Sequence, residues 1–253
     1  MFKRLHALVL AGVAVWCFVT ALAGGLVGLV LGNIRLPVLL FAASAPAPAA
    51  GANIAISGIA AATASVTHVR ARRVDWRLVT WMTPPSVAGA VGGGFLATAV
   101  PADALRIVIG SALILFGVDT LRSRRAAPGP AGDALDLRAA VAAGLAIGFL
   151  GGLIGLILGS LRMPALLRWV GQEPARAIGT NLVVGIAVGA AGLLGHLPGG
   201  IDWNLLGVGA AASIPGALLG SRLTGRLSTP QLLRAVGVIL LVAGTAAILQ
   251  GAL

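Results

Sequence analysis

Residues 24–40 read GGLVGLVLGNIRLPVLL, and residues 151–167 read GGLIGLILGSLRMPALL. Eleven of these seventeen positions are identical at an offset of 127, and the other six are conservative or small exchanges. The register continues outward. Gly51-Ala52-Asn53 matches Gly179-Thr180-Asn181 with one residue inserted, while Val74-Asp75-Trp76 matches Ile201-Asp202-Trp203 and Gly89-Ala90 matches Gly216-Ala217. Low-complexity similarity does not place Arg, Pro, Asn and Asp-Trp in the same order, so the chain is a duplicated unit. A polar linker at 122–136, RSRRAAPGPAGDALD, separates a first transmembrane repeat (1–121) from a second (137–253). Pro128, Gly129 and Pro130 stop any helix from running through it.

The solvent of this unit follows from composition. Of 253 residues, 58% are apolar and 10% charged, and mean hydropathy is +1.01. Soluble domains run near 25% charged, and a water-soluble globule of this size cannot hide so much apolar surface. The net charge of +11 does not mark a nucleic-acid binder, because the basic residues lie in short clusters between apolar runs. Cys17 is the single cysteine, so no intrachain disulfide forms. Motifs for a metal, nucleotide or other cofactor are missing, and no nucleophile–base pair suggests an enzyme.

Apolar runs long enough for membrane helices fall at 6–31, 53–67, 78–100 and 102–121, then at 137–158, 177–194, 205–223 and 232–249. The reading is an all-α polytopic membrane protein with about eight transmembrane helices in two homologous four-helix repeats. The runs at 53–67 and 177–194 are short for a span. Lys3 and Arg4 ahead of an apolar stretch ending Ala21-Leu22-Ala23 have the outline of a secretory signal. The uncleavable counterpart before Gly151 argues that the first helix is retained. Lys3, Arg4, Arg70, Arg72, Arg73, Arg77, Arg122, Arg124, Arg125 and Arg138 share one side of an eight-span topology, which puts both termini in the cytoplasm. Arg222 and Arg226 fall on the other side.

Arg35 and Arg162 break the pattern. Each lies inside an apolar run, two residues ahead of a proline. An arginine at membrane depth costs about 2.5–3.5 kcal/mol on insertion scales, so it needs an interior partner or a wet cavity. A break or re-entrant segment at each Arg-x-Pro turn leaves helix N–H groups free, and these with a guanidinium attract an oxyanion. Duplicated halves with broken helices are the architecture of secondary transporters. The alternative for each arginine is a helix end that snorkels to headgroups.

Asn33 and Ser160 stand two residues before the arginines, and Asn53 and Asn181 open the next helices, with Thr180 beside the latter. Their amides and hydroxyls can complete an anion's hydrogen bonds, or simply cap and join helices, and the same two readings hold for Ser57 and Thr63 on the second helix. Gly24, Gly25, Gly28 and Gly32 recur with Gly151, Gly152, Gly155 and Gly159 at spacings that let helices pack closely. Asp75 and Asp202 are expected N-caps, with Trp76 and Trp203 as interfacial anchors. Asp119 is expected to pair with Arg122. His6, His68 and His196 are scattered near predicted helix ends and suggest no proton relay or metal site.

The whole pattern resembles the sulfite exporter TauE/SafE family of membrane permeases. The shared elements are the glycine-rich helix with its proline-leucine turn (24–40, 151–167) and the following helix start (51–53, 179–181). The basic loop with its Asp-Trp entrance (70–76, and 201–203 for the entrance alone) and a glycine-rich third helix (89–94, 216–220) complete them. The resemblance implies export of sulfite or an organosulfonate across the bacterial inner membrane, with a small anion and the lipid bilayer as partners, self-association left open. The family helix usually runs three or more glycines into an aliphatic residue before the turn. An added arginine in each half of this chain points to a more firmly held or a different anion. An anion channel and a non-transporting membrane assembly or sensor stay open as other classes.

Overall fold

A computed structural model describes residues 2–43, 45–96, 102–122, 136–154, 157–197 and 200–252. Ten helices and no strand occur among them: α1 (Phe2–Val27), α2 (Gly32–Ala42), α3 (Pro46–Arg70), α4 (Trp76–Phe95), α5 (Ala102–Arg122), α6 (Leu137–Ile154), α7 (Gly159–Arg168), α8 (Pro174–His196), α9 (Trp203–Thr224) and α10 (Thr229–Ala252). Eight of them coincide with the eight apolar runs. The 122–136 linker lies outside the described residues apart from its two end positions, and so does Gly155 of the glycine stripe.

Among the described residues five stretches are long and apolar enough to cross a membrane: Ala7–Val27, Pro48–Arg70, Pro174–Leu194, Trp203–Thr224 and Thr229–Ala252. The second and third correct the reading of 53–67 and 177–194 as short. Pro46 and Pro174 occupy the first helical position, where a missing N–H costs nothing, and so begin these helices well before Asn53 and Asn181. Both asparagines are therefore interior residues of α3 and α8 rather than helix openers.

The two short helices, α2 and α7, were not anticipated as separate elements. At 1.5 Å per residue, 11 and 10 residues extend only about 15–16 Å, half of a bilayer core. Pro37 and Pro164 lie inside these helices and do not terminate them. The break in the first half comes earlier, at 28–31. Gly28 adopts φ +69°, and the Leu29 N–H returns to the Gly24 carbonyl at 3.0 Å, a Schellman closure of α1. The cost of Pro37 appears elsewhere: the Asn33 carbonyl loses its helical donor and instead accepts from Gln250 Nε2 of α10 at 3.1 Å.

Packing runs between the halves rather than within them. α1 lies along α9, α6 along α4, and α5 along α10, which pairs sequence-equivalent helices crosswise. Glycines set the approach. A Cβ on Gly89 would lie 2.3 Å from the Leu145 carbonyl oxygen, and one on Gly216 would lie 2.4 Å from that of Phe18. All four positions correspond at the offset of 127. The outward faces are apolar, with Phe41 85% and Leu115 71% exposed, which suits lipid and not water. Asp75 and Asp202 do cap α4 and α9, accepting from Leu78 and Leu205 N–H at 3.0 Å each, and Trp76 and Trp203 beside them are exposed. Asp119 pairs with Arg168 of α7, not with Arg122 one turn along its own helix.

Candidate functional site: two buried arginines at helix breaks

The short helices place Arg35 and Arg162 in their first turns. Neither N-terminus has a side-chain cap, so their free N–H groups and the positive end of the helix dipole are left in the interior. Arg35 is 2% exposed and Arg162 is 0% exposed. Among the described residues the ion pairs join Arg106 to Asp103 and Arg168 to Asp119; no carboxylate reaches either buried guanidinium.

Amides on α3 and α8 hold them instead. Arg35 Nε donates to Asn53 Oδ1 at 2.9 Å, while Nη2 donates to the Asn53 carbonyl at 3.0 Å and to the Ser57 hydroxyl. Asn53 Nδ2 in turn donates to the Gly32 carbonyl at 3.0 Å. In the second half, Arg162 Nη1 donates to Asn181 Oδ1 at 3.1 Å, and Asn181 Nδ2 donates to the carbonyls of Gly159 (2.9 Å) and Gly28 (2.6 Å). The last bond crosses from one half to the other. Arg162 Nε is buried with no acceptor. Two differences separate the halves. Asn181 Oδ1 meets Nη1 where Asn53 Oδ1 meets Nε. Ser57, which accepts from Arg35 Nη2, corresponds to Gly185 at the 128 offset that aligns the asparagines, so the second half lacks that hydroxyl.

A cavity of about 20 Å³ lies beside Arg35, walled by Thr20, Gly24 and Gly25 of α1, Ser57 of α3 and Leu182 of α8. That is room for about one water. Arg35 Nη1 donates to no acceptor among the described residues and belongs to the side chain that lines this space.

The other sequence candidates make no hydrogen bond to the guanidiniums among the described residues. Among the described residues no hydrogen bond ties Asn33 or Ser160 to either arginine; Asn33 Oδ1 is buried without a partner and Ser160 is 2% exposed. Thr180 accepts from the Asp75 N–H at 3.0 Å, joining α8 to the entrance of α4. Ser57, which the sequence offers for an anion or an interhelical bond, accepts from Arg35 one turn after Asn53 on the same helix. Among the described residues no three His, Cys, Asp or Glu side chains gather to hold a metal.

Helices of this length and composition around a cationic, carboxylate-free interior define a multi-pass helical membrane protein. The chain belongs to the Sulfite exporter TauE/SafE family, whose model matches residues 13–247. It is similar to two Bacillus subtilis (strain 168) proteins named as probable membrane transporters. YunE is 22% identical over 258 residues, covering 90% of this chain and 93% of its own; YjnA is 27% identical over 243 residues, covering 90% and 94%. No solved structure matches the chain.

Proposed function

We propose that this protein is a secondary transporter, working as an exporter, of a small anion across the bacterial inner membrane, with sulfite or an organosulfonate as substrate. The observation that carries the reading is the pair of buried arginines without a carboxylate, each in the uncapped first turn of a short helix. A buried cation without a counter-charge costs several kcal/mol even after relaxation. Amide oxygens offset part of that cost, and a bound oxyanion offsets the remainder by meeting N–H donors from both the guanidinium and the helix start. Arg35 and Arg162 bind the anion, Asn53 and Asn181 orient them, and Asn33 and Ser160 flank the site on the same first turns.

In the proposed topology eight helices span the bilayer, α2 and α7 reach only part-way, and both termini are cytoplasmic. A cavity of one water's volume is too small for a sulfur oxyanion. Loading therefore requires the helices around the breaks to part, which is alternating access between the repeats. The crosswise pairs α1–α9 and α4–α6 move as units, since their glycine contacts leave no slack within a pair.

The test is flux in liposomes, screening sulfite, sulfate, thiosulfate, sulfonates and carboxylates, for the wild type and for Arg35→Ala and Arg162→Ala. The proposal requires saturable flux of one of these anions and its loss in both variants. Unchanged flux in both removes the site assignment. Flux indifferent to ion gradients identifies a channel, and absence of any flux identifies a non-transporting assembly.

A further inference from the structure

Outside the arginine site, one side chain is fully buried with neither of its polar atoms paired. His68 sits in the last turn of α3, 0% exposed, and neither Nδ1 nor Nε2 makes a hydrogen bond. The Gly25 carbonyl of α1 and the charge of Arg73 both act on its ring. Gly25 is also a wall of the cavity that Arg35 lines. On the third side Gly179 of α8 presses in: a Cβ there would lie 3.0 Å from the histidine Cβ.

The surroundings are polar but almost uncharged. The Gly25 carbonyl receives the Thr224 hydroxyl of α9 at 3.3 Å, and Ser221 donates to Thr67, the neighbour of His68, at 2.9 Å. Arg73 is the charged group acting on the ring; Arg70 and Arg72 of the same turn are exposed. α1 and α8 present glycine backbone at the contacts named, and α9 presents hydroxyls. Among the described residues no carboxylate pairs with the imidazole. The turn at 71–74 that follows is exposed at Ala71 and Arg72 and half-buried at Arg73 and Val74, and the Arg73 N–H closes it on the His68 carbonyl at 2.8 Å. In the sequence, His68 corresponds to His196 at the offset that aligns Asn53 with Asn181.

We infer that His68 is a proton-binding site that couples movement of the anion to the proton gradient, an inference that rests on the transporter reading above. A neutral imidazole has one N–H and one lone pair. A proton taken onto the lone pair makes both nitrogens donors, with the Gly25 carbonyl as a nearby acceptor, and places a positive charge behind the wall of the Arg35 cavity. Beside Arg73, and with no carboxylate, that charge is opposed until an anion enters. The anion favours the imidazolium and the imidazolium favours the anion; by linkage the two bind cooperatively and travel together. One proton carried with a divalent oxyanion leaves one net negative charge, which an inside-negative potential still drives outward.

The experiment uses the full chain in liposomes, radiolabelled sulfite as probe, and the membrane potential clamped at zero. Wild type should accumulate sulfite on the alkaline side, up to about tenfold per pH unit for one proton per anion. His68→Gln should lose this accumulation, bringing the ratio of pH-driven flux to equal-pH exchange down to one. A His68→Gln protein that accumulates sulfite like wild type overturns the inference, as does wild-type flux that ignores the pH gradient. Absence of sulfite flux from wild type in both modes overturns the transporter reading for this anion. If His68→Gln does not fold, Arg73→Gln decides: removing the opposing charge should shift the pH of half-maximal uptake upward, and no shift overturns the inference.

Discussion

Arg162 holds the side-chain oxygen of Asn181 through Nη1 at 3.1 Å, and its Nε, fully buried, faces no acceptor. Arg35 in the matching place has three bonds, to the Asn53 side-chain oxygen, to the Asn53 backbone carbonyl and to the Ser57 hydroxyl, the last of which has no counterpart because the second half has Gly185. Two arginines that look interchangeable in the repeat are therefore unequal in what they can offer a ligand.

Exchanging that difference should move affinity. In Gly185→Ser the new Cβ meets Val30 Cγ2 at 3.3 Å, a contact that a methyl group can yield to, and the hydroxyl becomes an acceptor for Arg162. A hydrogen bond to a charged group is worth about 1.5–3 kcal/mol, so sulfite should bind roughly ten- to a hundredfold more weakly. The concentration dependence of liposome flux measures this, and an unchanged half-saturation value contradicts a role for Arg162 in binding.

Asn181→Ala should destabilise the protein more than Asn53→Ala. Both leave an arginine without its amide oxygen, but Asn181 also satisfies Gly28 and Gly159 carbonyls, whereas Asn53 Nδ2 satisfies Gly32 alone. Each orphaned buried group costs about 1–3 kcal/mol. Thermal unfolding in detergent should rank wild type, Asn53→Ala and Asn181→Ala in that order.

Gly89→Ala and Gly216→Ala should cost similar amounts, about 1–3 kcal/mol each, because in both the added methyl meets a backbone carbonyl that cannot swing aside. Gly92→Ala, in the same helix as Gly89 but with nothing within 4 Å of its Cβ position, should be neutral or stabilising. Folded yield after detergent extraction compares the three; equal behaviour of Gly89 and Gly92 variants would refute the close packing of α4 on α6.

Thr180→Val should lower stability without weakening sulfite binding. Its hydroxyl accepts the Asp75 N–H at 3.0 Å, and a valine leaves that donor unpaired at a cost of about 1–3 kcal/mol. A lowered unfolding temperature with an unchanged half-saturation value is the expected pair of results.

The duplicated glycines, arginines and Asp-Trp pairs carried most of the architecture in plain view. Eight of the described helices coincide with the apolar runs, five of them long and apolar enough to cross a membrane, and both aspartate caps lie where capping rules put them. α2 and α7 escaped because a ten-residue helix leaves no hydropathy signature apart from the longer run it interrupts, and because proline reads as a stop even where a distant side chain compensates. The candidate site was legible in its cations and its asparagines. Its second-half defect was not, since the missing hydroxyl at Gly185 shows only after the one-residue insertion is tracked through the repeat. His68 reads as one of three scattered histidines, because its correspondence with His196 depends on that shifted register.

The bond from Gln250 to the Asn33 carbonyl joins positions 217 residues apart. A carbonyl stripped of its donor in hydrocarbon costs several kcal/mol, so α2 stays incompletely solvated by protein until α10 has arrived beside it. During synthesis the first helix break is therefore completed only after nearly all of the second half has been inserted. The order of assembly is written into a single amide: the early half waits for the late one, and α2 cannot be finished while any of the chain up to Gln250 is still missing.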